Sequence, residues 1–216
     1  MEAEAPLAWR ATPEGVYLVS TSAYPVGDDD LDMTVRVRSG TDVSIRSTAA
    51  MIAWSSCGSR LRTQVHVEAG ARLDWRPEPL IATAGCEHEQ LATVHLAEGA
   101  HLRWQDVLVL GRAGETSGRL RSRLSIDLAG LPVLRHELAA VERAVWTSPA
   151  VMGGNRVAAM VVAVGGGPAP TGQASGEGWV VAPLHQGGVL TLAVAGDVPA
   201  AMDRLALGEA VHLHTR

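Results

Sequence analysis

The sequence contains no lysine and no phenylalanine. All 18 basic residues are therefore arginines, so every fixed cation is a planar, forked donor suited to carboxylates. The plainest cause of both absences is the codon bias of a GC-rich genome, and the physical consequence is the same under any other cause. Only two cysteines occur, Cys57 and Cys86, which excludes a disulfide framework. The longest apolar run, Val157 to Val164, is roughly half of what a membrane helix needs. The first residues lack the basic and apolar regions of a signal peptide, so the expectation is a cytoplasmic chain. A net charge of −5 leaves no electrostatic footprint for nucleic acid. Gly-x-Ser-x-Gly, His-Glu-x-x-His and dinucleotide glycine signatures are all missing, so catalysis has no residues to stand on. The expectation is that the chain is not an enzyme; a metal-dependent hydrolase is the least favoured reading.

What the sequence does have is a threefold echo. The stretch Val35 to Ile45 returns as Val65 to Trp75 and again as Val94 to Trp104. Each copy alternates apolar and polar residues, breaks at Gly40, Gly70 or Gly99, and resumes the alternation. This reads as a half-buried strand, a tight turn with φ > 0 at glycine, and a second half-buried strand, that is, a hairpin. A fourth, degenerate hairpin spans Leu120 to Leu138 around Gly130. The fold class expected is mainly β: stacked hairpins in β-helix-like layers, solenoid or sandwich, with one or two short α-helices.

The whole chain, 1–216, reads as a single domain. Its repeat-bearing core covers about 25–140, a flexible glycine-rich loop covers 165–178, and strands with a short helix fill 179–216. That helix is capped near Asp197 and completed by Leu207. The pair His212 and His214 reads as part of a disordered tail. In a layered stack Trp54, Trp75 and Trp104 would form one column, either a core ladder or an exposed aromatic anchor for a partner. His66, His95 and His101 fall on the polar phase and read as solvent-facing.

Metal ligation has a few residues to offer. Cys86 and His88 share a face if extended, and sulfur with imidazole suits nickel, copper or zinc. A buried cysteine beside a surface histidine is the plainer reading, because a stable site needs three or four convergent ligands.

Two stretches carry a family likeness. Leu73-Asp-Trp75-Arg-Pro77-Glu78-Pro79-Leu-Ile81 sets Trp75 before a Pro-Glu-Pro turn and an apolar pair. Asp106-Val-Leu-Val-Leu-Gly111-Arg112 is followed by Gly114-Glu115. With Gly27-Asp28 before the first repeat and Ser47-Thr-Ala-Ala50 after it, these resemble the urease accessory protein UreD (UreH) family over about 25–140. The resemblance implies a non-catalytic nickel chaperone with a stacked β fold, holding no tight cofactor but with nickel in transit. It implies binding to UreF, recruitment of the GTPase UreG through UreF, and docking on the urease apoprotein subunits. It also implies a nickel route through the accessory protein's interior. Asp106 and Arg112 are read as lying at the two ends of one strand, where a carboxylate–arginine clamp between layers competes with a place for Asp106 or Glu115 along that route. Glu115 is the nearest partner for Arg112. With Cys86 and His88, Asp106 and Glu115 complete the metal candidates. The alternative is a stand-alone β-solenoid protein-binding module unrelated to urease.

Overall fold

The computed structural model describes residues 1–3, 5–55, 57–165 and 172–214. The strands in chain order are β1 (Glu2–Ala3), β2 (Leu7–Thr12), β3 (Gly15–Ser20), β4 (Asp30–Val37), β5 (Asp42–Ser47), β6 (Met51–Ala53), β7 (Ser59–Val67), β8 (Arg72–Arg76) and β9 (Leu80–Ala82). They continue as β10 (Glu87–Leu96), β11 (His101–Leu110), β12 (Arg119–Leu128) and β13 (Leu131–Ala140). After helix α1 (Arg143–Trp146) come β14 (Val157–Val164), β15 (Ala174–Gly176), β16 (Trp179–Pro183), β17 (Gly188–Ala195) and helix α2 (Val198–His214). The mainly β, solenoid-like class read from the repeats is the class observed.

The repeats are not hairpins. β4, β7, β10 and β12 pair in parallel within a six-stranded sheet, while β5, β8 and β11 pair in parallel within an eleven-stranded one. The two strands of each copy thus lie in opposite sheets, and each copy pairs with the next copy instead of with itself. The glycine turn is a corner. Thr41, Ala71 and Ala100 each donate to the carbonyl three residues back, and Arg72 and His101 donate to Thr41 and Ala71 of the layer below. Alternation alone cannot separate the two arrangements, since both put the same side chains on one face. Only the fourth unit, β12 to β13, is an antiparallel hairpin.

The corner glycines take φ values of +68°, +69° and +75° at Gly40, Gly70 and Gly99, as the turn reading requires. A Cβ on Gly99 would sit 3.9 Å from the Gly70 nitrogen, so space is adequate and backbone conformation sets the cost. Gly99→Val is therefore expected to cost roughly 1–2 kcal/mol, read as a lowered melting temperature without loss of strand content.

In-register stacking produces columns. Val35, Val65, Val94 and Ile126 are each fully buried along one sheet and face Ile45, Trp75, Trp104 and Val162 along the other. The Trp75 and Trp104 rings stack with centroids 4.6 Å apart. Trp54 is not in this column. It is 40% exposed, under the Arg112 guanidinium.

The same stacking would set like charges side by side on the outer face, and the sequence avoids this by changing sign from strand to strand. Asp30 and Asp32 of β4 meet Arg62 of β7; Arg60 meets Glu89 of β10; Glu89 meets Arg121 of β12; Arg121 and Arg123 meet Glu137 of β13. Opposite-charge neighbours on one face contribute where like pairs would repel.

β11 is apolar on both faces from Val107 to Leu110 because both are covered. Val107 and Val109 face Ala201 and Leu205 of α2, whereas Leu108 and Leu110 face the space between the sheets. The Asp197 carboxylate accepts from the Ala200 N–H at the start of α2, which then runs beyond the expected end at Leu207 to His214. The tail expected to be disordered is thus helical through His214, because Leu205 and its neighbours bury a face and Glu209 pairs with Arg103 at 3.0 Å. Within the expected glycine-rich loop, 174–176 forms β15 against β16, and 166–171 lie outside the described residues. Among the described residues no helix is long and apolar enough to cross a membrane.

Candidate functional site

On β11, alternate residues Trp104, Asp106, Leu108 and Leu110 point between the sheets. Asp106 sits where the large core ends and the smaller core of Leu108, Leu110 and Leu120 begins. It lies in mid-strand, not at a strand start, and is 7% exposed. Its Oδ2 accepts from the Trp104 indole N–H at 2.9 Å. Burial pushes its carboxyl up to about 6, against a partial lowering by the indole.

No arginine pairs with Asp106 among the described residues, which corrects the clamp. Arg112 lies in the turn after β11 and is bound to Glu115, with Nε 2.9 Å from Oε2. The pair holds Glu115 well below the usual carboxylate range. It belongs to an exposed loop cluster with Trp54, so Glu115 is not an interior residue. Gly111 is needed there: its φ is +88°, and a Cβ would lie 2.5 Å from the Glu115 carbonyl oxygen.

Two cavities meet at Asp106. One of about 150 Å³ is lined by Tyr24, Ser47, Pro77, Glu78, Gln90 and Asp106 among others. The other, of about 180 Å³, is lined by Asp106, Ser122, His136, Met152 and Met160 among others. Leu108 is the other residue common to both. The Pro-Glu-Pro turn forms one wall of the first cavity, held by the Glu78 N–H donating to Ser47 Oγ at 2.8 Å and by Met51 N–H donating to Pro79 O at 2.9 Å. The sequence reading names Pro77, Glu78 and Asp106 among these lining residues and does not name Gln90, Ser122 and His136. A signal was there. Each occupies the inward phase of an alternating strand, where Leu or Val stands elsewhere.

His88 and Cys86 are both buried, so the surface histidine of the plainer reading is corrected. His88 Nδ1 is 2.9 Å from Ser59 Oγ, while Nε2 has no hydrogen-bond partner among the described residues. Burial pulls the His88 imidazole down to about 4 and pushes the Cys86 thiol up to about 11, so both are neutral near pH 7. Neither joins a larger ligand set: among the described residues no three His, Cys, Asp or Glu side chains converge to hold a metal ion.

The His88 shift has a pH consequence. The folded chain holds this imidazole neutral while the unfolded chain, with a value near 6.5, takes up a proton. Its contribution to stability is present above about pH 6.5 and is lost as pH falls towards 4, by about 3 kcal/mol in all. In urea titrations between those pH values, His88→Gln is expected to remove this contribution and leave the opposite one of Asp106, so that the variant loses stability as pH rises.

On the outer face His66 and His95 do point away from the core, and their rings stack 5.1 Å apart. His101 differs: its Nδ1 is buried without a hydrogen-bond partner among the described residues.

Residues 1–207 match the family described as UreD urease accessory protein. A urease accessory protein UreD 1 of Saccharopolyspora erythraea is 35% identical over 197 residues, covering 90% of this chain and 77% of that protein. A urease accessory protein UreD of Streptomyces coelicolor is 35% identical over 210 residues, covering 91% and 83%. Another from Streptomyces avermitilis is 34% identical over 174 residues, covering 76% and 69%.

Proposed function

Because the chain belongs to the UreD urease accessory protein family, we propose that it is a non-catalytic scaffold through which nickel reaches apo-urease. In this reading it binds UreF, UreF brings the GTPase UreG, and the assembly docks on the urease subunits in the cytoplasm. The family match removes the grounds for a β-solenoid module unrelated to urease.

The observation that carries the nickel part is Asp106: a buried carboxylate with one indole donor, no cationic partner among the described residues, and a cavity on either side. An unpaired buried charge is costly, and a passing divalent cation supplies the missing countercharge. One carboxylate oxygen among water and neutral side chains binds nickel weakly, which suits transit, whereas a convergent set of three or four ligands would retain it. Gln90, Ser122 and His136 offer further neutral polar contacts on the two sides. Glu115, tied to Arg112, takes no part.

A tagged chain expressed with UreF and the urease subunits is expected to carry both through purification. Expressed without UreF, it is expected to be poorly soluble or self-associated, because a surface made for a partner is left bare. A monodisperse monomer at high concentration, indifferent to UreF and retaining no urease, would remove the scaffold reading.

A further inference from the structure

β13 is the last strand of the six-stranded sheet and pairs only with β12 among the described residues, so ten residues present an unpaired edge. The opposite end of that sheet carries the two-residue β1, and the eleven-stranded sheet ends in the three-residue β15 and the six-residue β2. β13 is therefore the longest terminal strand among the described residues. Native proteins usually shorten such an edge, cover it or charge it against pairing. This one is charged, but in a pattern that suits a particular partner.

We propose that β13 pairs antiparallel with β13 of a second copy of this chain, about a twofold axis through His136. In that register Arg135 of each copy stands opposite Glu137 of the other, on the exposed face. Leu134 stands opposite Leu138 on the inner face, and Pro132 meets Ala140 at the end of the ladder, where its missing N–H matters least. A slip of one residue sets inner side chains against outer ones. A slip of two sets Arg135 against Arg135, or Glu137 against Glu137. Only the register centred on His136 satisfies both charges, so the edge is self-complementary in one alignment and repulsive in its neighbours. The result is a single sheet running through both copies, with the second cavity of each, lined by His136 and Leu138, beside the axis.

The test is sedimentation of the full chain with two charge reversals. The wild-type chain is expected to dimerise, while Glu137→Arg and Arg135→Glu each associate about tenfold or more weakly. An equimolar mixture of the two variants is expected to regain the dimer. One variant then carries positive charge at both facing positions and the other negative charge at both, so every cross-strand pair is again of opposite sign. Arg135 also pairs with Asp127, and Glu137 with Arg121 and Arg123, within the chain. Circular dichroism therefore checks that each variant is folded, and recovery on mixing cannot come from misfolded chains. A wild-type monomer at every concentration, a dimer unaffected by either reversal, or no recovery on mixing would overturn the proposal.

Discussion

Replacing Asp106 by asparagine is expected to stabilise the isolated chain by about 2–3 kcal/mol at pH 7.5, an unusual direction for a change at a buried position. Burial raises the carboxyl from near 3.8 to about 6. The folded state therefore holds the proton more tightly than the unfolded state, and stability falls as pH rises through that window. Above about pH 6 the cost is complete, and asparagine escapes it while its carbonyl still accepts from the Trp104 indole. Below about pH 4 both states are protonated and the gain should vanish. His88 acts with the opposite sign over nearly the same range, so the two contributions largely cancel in the wild-type chain between about pH 4 and 6.5. Asp106→Asn should expose the His88 slope. Urea unfolding at several pH values measures this; a variant less stable than wild type at pH 7.5 would show that the carboxylate is compensated by a partner.

The second large effect is expected at Trp104. Its side chain is 1% exposed, stacks on Trp75 and donates to Asp106. Trp104→Ala would open a cavity in the column and leave the carboxylate without its donor, at a combined cost of about 4 kcal/mol or more. Trp104→Phe keeps most of the stacking and loses only the N–H, so it should cost clearly less. In an Asp106→Asn background the Phe variant should cost less again, because the donor then serves a neutral acceptor. A double-mutant cycle on melting temperatures reads this coupling. Equal costs in both backgrounds would mean that the indole does not support the carboxylate.

The molecule shows which parts of a layered β protein are written locally and which are not. Strand positions, the corner glycines and the Asp197 cap follow from alternation, φ and capping, which depend on near neighbours. Whether a glycine turn makes a hairpin or a corner depends on where the next copy lies thirty residues on, and alternation is silent about that. The sign change of charge from Asp30 to Arg60 to Glu89 is a long-range signal that favours parallel stacking. Asp106 was legible as a residue of interest through its motif with Gly111 and Arg112. Its lack of an arginine was not, because the motif places the guanidinium six residues away without showing that the strand ends at Leu110 and turns it outward. The longer α2 was hidden for a related reason: its stability comes from packing on Val107 and Val109 of β11, not from its own propensity.

Nickel-limited activation of a co-expressed urease, wild type against Asp106→Asn, tests the central claim most directly. The variant is expected to fold and to form the complex with UreF and urease in normal amount. Activation should be slowed several-fold when nickel is scarce and should recover towards the wild-type rate when nickel is in excess, since concentration compensates for a weakened transit site. Normal activation by Asp106→Asn at limiting nickel, with the complex intact, would contradict a role for this carboxylate in nickel delivery.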